Sequence, residues 1–122
     1  MNYQIKYIEH QGVVEDMVFL FEGEYHILSE FLDDVDSFSR EYLEIFDNVL
    51  SGKVEKDSAS GNSCSFEVDK DKTVIEFLYP EDENETEICT VNTRELRALM
   101  DEWLQKRAEL LNKKNSIEHE KH

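Results

Sequence analysis

Three short alternating segments near the C-terminal half constrain this chain most. Cys64, Phe66 and Val68 alternate with Ser65, Glu67 and Asp69. Thr73 to Tyr79 is rich in β-branched and aromatic residues, and Glu87 to Val91 is a third such run. A period of two marks strands that are wet on one face. Asp69-Lys70-Asp71-Lys72 joins the first pair, and Pro80 with the acidic run Glu81 to Glu85 joins the second. Links this short cannot hold a crossover helix, so the three strands must run antiparallel.

The same logic applies at the start. Tyr3, Ile5 and Tyr7 alternate with Asn2, Gln4 and Lys6, Gln11-Gly12 is a turn, and Val13 to Phe21 is a second strand. The two form a hairpin. Met17, Phe19 and Phe21 share one face and Val18 and Leu20 the other, which predicts a strand covered on both sides. Tyr25 to Leu32 fits two readings: Ile27, Leu28, Phe31 and Leu32 suit a helix, Tyr25 and Ile27 a third strand. The preferred reading is a short strand followed by an acidic turn.

Two segments have helical spacing. Phe38, Tyr42, Ile45, Phe46 and Val49 make one stripe within Asp36 to Leu50, with Asp36 or Ser37 to cap it and Gly52 beyond its end. Asn92-Thr93-Arg94-Glu95 is a capping box. The helix it opens runs to about Leu111 and buries Leu96, Leu99, Met100, Trp103, Leu104, Leu110 and Leu111. Lys53 to Ser63 is polar and aperiodic, which predicts a mobile loop. The expected fold is α+β: an antiparallel sheet of five to six strands with two main helices packed on it, in the order ββ(β)α-βββα. Residues 1–114 form the expected single domain and 115–122 a flexible polar tail.

Charge narrows the function. The chain holds 29 acids and 13 bases for a net −16. Between Lys6 and Arg40 there is no Lys or Arg, and nine acids fill the gap: Glu9, Glu15, Asp16, Glu22, Glu24, Glu30, Asp33, Asp34 and Asp36. Such a field repels nucleic acid and anionic membrane and steers basic proteins inward. Phe19, Phe21, Tyr25 and Phe31 are interleaved with these acids, and interfaces favour aromatic anchors inside a polar rim. The candidate partner-binding residues are therefore Glu15, Asp16, Phe21, Glu22, Glu24, Tyr25, Asp33, Asp34 and Asp36. Of these, Asp33 and Asp34 are placed in an exposed turn.

No catalytic residue, cofactor or metal is assigned. His119 and His122 are spaced three apart, one short of the zinc-protease pattern, and His10 and His26 stand alone. Gly61-Asn62-Ser63 lacks the Gly-Lys-Ser/Thr of a phosphate cradle, and no Gly-x-Ser-x-Gly elbow occurs. Cys64 and Cys89 fall on the first and last of the three late strands, too far apart to bond, and read as buried free thiols. The polar opening from Met1 to His10 has no apolar signal core, and no run approaches the roughly 20 apolar residues of a membrane span. A cytosolic setting is expected.

The layout also resembles that of small bacterial immunity proteins of contact-dependent inhibition and other polymorphic toxin systems. In order it is similar to the YacL-like family of short acidic proteins. The likeness rests on Asn2-Tyr3-Gln4-Ile5 with Gly12-Val13-Val14, on the central helix, and on Ile88-Cys89-Thr90-Val91 running into Thr93-Arg94-Glu95-Leu96. The resemblance implies a cytosolic protein that binds one basic toxin, usually a nuclease, and occludes its active site; it transfers no catalytic residue. Two other readings compete: a nucleic-acid-mimicking inhibitor or adaptor of a DNA- or RNA-binding enzyme, and a small enzyme or ligand-binding module. Oligomeric state is not legible.

Overall fold

The computed structural model describes residues 2–120, with side chains as far as Lys113. The expected α+β class is borne out, with the strands divided between two antiparallel sheets. Strands β1 (Gln4–His10) and β2 (Val13–Leu20) form a separate hairpin. Its turn residues Gln11 and Gly12 have φ of 53° and 78°. Left-handed backbone at both positions matches the right-handed twist of paired strands. Ile8 faces Asp16 and Glu9 faces Val14, so Glu15 is the extra residue of a bulge.

A helical turn at Gly23–His26 leads into α1 (Ile27–Ser37). Here the preferred strand-and-turn reading of Tyr25 to Leu32 is corrected. Ile27, Leu28, Phe31, Leu32 and Val35 are buried at helical spacing and drive one continuous apolar face inward. Asp33 and Asp34 therefore lie on a helix rather than in an exposed turn, and Asp36 belongs to the end of that helix rather than to the start of the next. Phe38, at φ −126° and ψ 33°, breaks the chain between α1 and α2 (Ser39–Leu50). Neither Asp36 nor Ser37 caps α2; its N-cap is Phe38, without a side-chain bond. At the other end Gly52 takes φ 82°, its N–H reaches Val49 O at 3.1 Å, and that of Lys53 reaches Asn48 O at 2.9 Å. That pair of bonds is the Schellman arrangement, which glycine permits at lowest cost.

The second sheet has the order β3-β4-β5-β6: Lys56–Ser60, Cys64–Asp69, Lys72–Phe77 and Glu87–Asn92. The three expected strands are its members β4 to β6. β3 corrects the predicted mobile loop at Lys53 to Ser63, for Lys56–Ser60 pairs in register with Ser65–Asp69. Central β5 separates Cys64 from Cys89, and both are buried and free, as expected. Helix α3 (Thr93–Glu120) opens with Asn92 Oδ1 accepting from Glu95 N–H at 3.0 Å and continues past Leu111. The side chains of the polar tail expected from Asn115 lie outside the described residues. Among the described residues no helix is long and apolar enough to cross a membrane.

The helices cover one face of the four-stranded sheet, and the hairpin closes over α1 and α3. Two aromatic groups fill the core. Phe31, Tyr42, Phe46 and Phe66 meet at centroid distances of 5.0–6.3 Å between α1, α2 and β4. Tyr3 stacks on Phe19 at 4.1 Å, and Phe19 meets Trp103 edge-on at 4.9 Å. The expectation that β2 is covered on both faces is corrected: Met17 and Phe19 are buried, but Leu20 is 44% exposed.

Beside the first group, at the β3–β4 turn, lies a buried acid. Asp34 is 1% exposed. Its Oδ1 accepts from the N–H groups of Asn62 at 3.1 Å and Ser63 at 3.0 Å. Its Oδ2 accepts from Ser63 at 3.1 Å and Cys64 at 2.9 Å. Gly61 sits so close that an added Cβ would stand 2.5 Å from Tyr42 Oη and 2.6 Å from Asp34 Oδ2. Replacing Asp34 by Ala strands three turn N–H groups, a loss of about 3 kcal/mol. Gly61→Ala should cost about 1–3 kcal/mol through overpacking. Urea unfolding of both variants measures this, and parental stability in Asp34→Ala would show that the turn holds itself.

Candidate partner-binding surface

The nine candidate residues separate into groups with different environments. Phe21, Glu22 and Tyr25 come together. With Asn2, Tyr3, Gln4 and Leu20 they line an open depression of about 580 Å³ at the root of the hairpin. Phe21, 8% exposed, is its floor, while Leu20 and Tyr25, at 44% and 40%, stand up as its rim. The lining holds the carboxylate of Glu22 and no Lys or Arg. Glu24 is exposed on the adjoining helical turn. Its charge adds to burial in pushing the Cys89 thiol up to about 11. One wall is fixed by Tyr3, whose hydroxyl donates to Glu102 of α3. Burial, and then the Glu102 bond and charge, push the Tyr3 hydroxyl up to about 12.

A second group surrounds Arg107. This guanidinium forms an ion pair with Asp16 of β2. Its Nε lies 3.4 Å from Asp36 Oδ2 of α1, without the alignment of a hydrogen bond. It also sits 5.6 Å over the Trp103 ring, and Trp103 Nε1–H donates to Asp36 Oδ1 at 3.1 Å. Asp16 and Asp36, both candidate partner-binding residues, are thus also engaged within the molecule. The assignment of Asp34 is corrected, since its carboxylate is buried and enclosed by the β3–β4 turn. Phe21 offers a floor rather than a protruding anchor. Glu15 stands at the hairpin bulge, away from the depression.

Asp33 is exposed beside this cluster. Burial of its carboxyl, then the charges of Glu30, Asp36, Asp16 and Asp34, raise it to about 6. Asp36 is raised by burial and by Asp16, against the opposing pull of Arg107 and the Trp103 bond. One guanidinium thus serves a neighbourhood of several carboxylates.

The sequence reading missed Arg107, Leu20 and the Asn2–Gln4 wall. Arg107 carried a usable signal, since it follows Trp103 by four residues and shares its buried face. His26 Nε2 lies 3.5 Å from Glu87 Oε1. Among the described residues no cluster of three or more His, Cys, Asp or Glu could hold a metal ion. The comparisons return no matching protein family, no similar curated protein and no similar solved structure.

The raised Asp33 carboxyl has a pH signature. A carboxyl held above its unfolded value of 3.8 binds its proton more tightly when folded. Its contribution to stability is therefore lost as pH rises from about 4 to about 6. Asp33→Asn should be more stable than the parent above pH 6, and the difference should vanish as pH falls toward 4. Denaturant melts at stepped pH test this; a pH-independent difference would place the effect elsewhere.

Proposed function

We propose that this chain is a cytosolic immunity protein that binds a basic toxin of the nuclease class and occludes its active site. The observation that supports the reading is the hairpin root. There Leu20 and Tyr25 stand exposed beside Glu22 and Glu24, on a molecule of net charge −16. A nuclease is basic where it holds phosphate, and carboxylates can stand in for phosphates in that groove. The apolar rim supplies the short-range packing that sets the dissociation rate once the field has brought the partners together.

The contact set is narrower than the nine residues of the sequence reading. Glu22, Glu24 and Tyr25, with Leu20, form its centre. Asp33 and Glu15 contribute to the long-range field, and Asp16 and Asp36 set the posture of the hairpin.

The reading predicts a neighbouring upstream reading frame ending in a small basic domain. That domain should arrest growth when expressed alone and be tolerated, as a 1:1 complex, when this chain is co-expressed. The association rate should fall at least roughly tenfold between 0.1 and 1 M salt, as the Debye length contracts from about 10 to about 3 Å. Combining Glu22→Lys, Glu24→Lys and Tyr25→Ala should abolish protection while leaving the circular dichroism unchanged. A harmless upstream domain, or full protection by the triple variant, would refute the reading.

A further inference from the structure

The two sheets expose four strand edges, and three of them carry a blocking device. On β2, Ser29 Oγ of α1 donates to Phe19 O. The Met17 N–H is taken by Asp16 Oδ1 at 2.8 Å. On β3, the Ser58 N–H is taken by the side chain of Asp57 at 2.8 Å, and the strand is five residues of polar or small type. β6 lies against the helical turn Gly23–His26, where His26 reaches Glu87. Such caps are how native proteins keep unpaired edges from recruiting other chains.

β1 has none. Phe19 O and Met17 N–H point away from β1, so their register partners Ile5 and Tyr7 also point away from β2. Outside the β1–β2 ladder, no hydrogen bond among the described residues reaches the backbone of Gln4–His10. The seven-residue edge is flanked by exposed apolar side chains, with Tyr7 53% exposed and Ile8 beside it. It begins at the depression lined by Tyr3, Gln4, Leu20 and Tyr25.

From this asymmetry we propose that the free edge of β1 is a strand-addition site. It takes an extended, lysine- or arginine-bearing segment of a protein partner, paired through the backbone of Ile5 and Tyr7. Main-chain bonds supply the attachment in such additions, and a pocket beside the edge selects a side chain. Here the pocket is the depression at the hairpin root. The basic character of the segment rests on the function proposed above; the location of the edge does not. A second copy of this chain is a poor occupant because each copy brings a net charge of −16.

The test uses the full chain labelled with ¹⁵N and two defined peptides, twelve residues of alternating Lys and Val or of alternating Glu and Val. In the chain alone, the amides of Ile5 and Tyr7 should exchange rapidly, while those of Lys6 and Ile8 are protected by β2. The Lys-Val peptide should slow exchange at Ile5 and Tyr7 at least tenfold. Tyr7→Pro removes an outward N–H and leaves the ladder bonds of Lys6 and Ile8, so it should weaken binding at least tenfold. Ser58→Pro on β3 should leave binding unchanged. The exchange map of the unmutated chain decides the matter even where Tyr7→Pro does not fold. Absence of Lys-Val binding overturns the proposal. Lys-Val binding that protects other amides overturns the edge and leaves the basic-partner reading standing. Equal protection by Glu-Val, or protection that grows with protein concentration alone, overturns the basic segment as occupant.

Discussion

The Asp34 carboxylate joins the helical half of the molecule to the sheet. A buried carboxylate is costly unless its oxygens are fully engaged. Here it accepts from three consecutive backbone N–H groups of the β3–β4 turn. Those donors would otherwise be a cluster of unpaired amides at the end of a short hairpin. Each half thus supplies what the other lacks. The same contact explains Gly61, whose neighbours Tyr42 and Asp34 leave no room for a side chain. It also sets the register of β3, a strand with almost no apolar content of its own.

A second constraint follows from the charge imbalance. A chain with 29 acids must place them near one another, and self-repulsion opposes compaction. Arg107 meets the problem where β2, α1 and α3 converge. Its guanidinium contacts Asp16 and Asp36 and lies over Trp103. Planar, multidirectional and only partly exposed, it can serve two carboxylates on two elements at once, which a lysine ammonium does less well. Arg97 does similar work between α2 and α3, at 2.9 Å from Asp47 and 2.5 Å from Asp101. Arg97 and Arg107 thus act as cross-links between elements.

These two interactions also mark where the sequence stops being readable. The alternating strands, the Gln11-Gly12 hairpin and the Asn92 cap were legible because the code for each lies within a few residues. β3 was not, because Lys56 to Ser60 is held as a strand by pairing with β4 and by a carboxylate 28 residues upstream of Asn62. α1 was misread because its acids looked like turn residues, whereas Ile27, Leu28, Phe31, Leu32 and Val35 decide its conformation by burial. Tertiary packing overrides local propensity in both segments. The candidate site was legible in composition and illegible in disposition. Charge counting cannot separate Asp34, enclosed by a turn, from Asp33 one residue away, which faces solvent.

That distinction bears on how an acidic protein recognises anything. Net charge sets the range and sign of attraction, but it cannot position a partner to within a side chain. Position needs groups that are both exposed and directional. Among the described residues, the rim of Leu20 and Tyr25 and the outward backbone of β1 are such groups, and they adjoin at the hairpin root. The Asp16–Arg107–Asp36 cluster braces the same hairpin from its inner side. Asp16 and Asp36 therefore brace the hairpin on which the proposed contact surface lies. Weakening the brace would loosen the β1 edge proposed to take a partner strand, even with every rim residue intact.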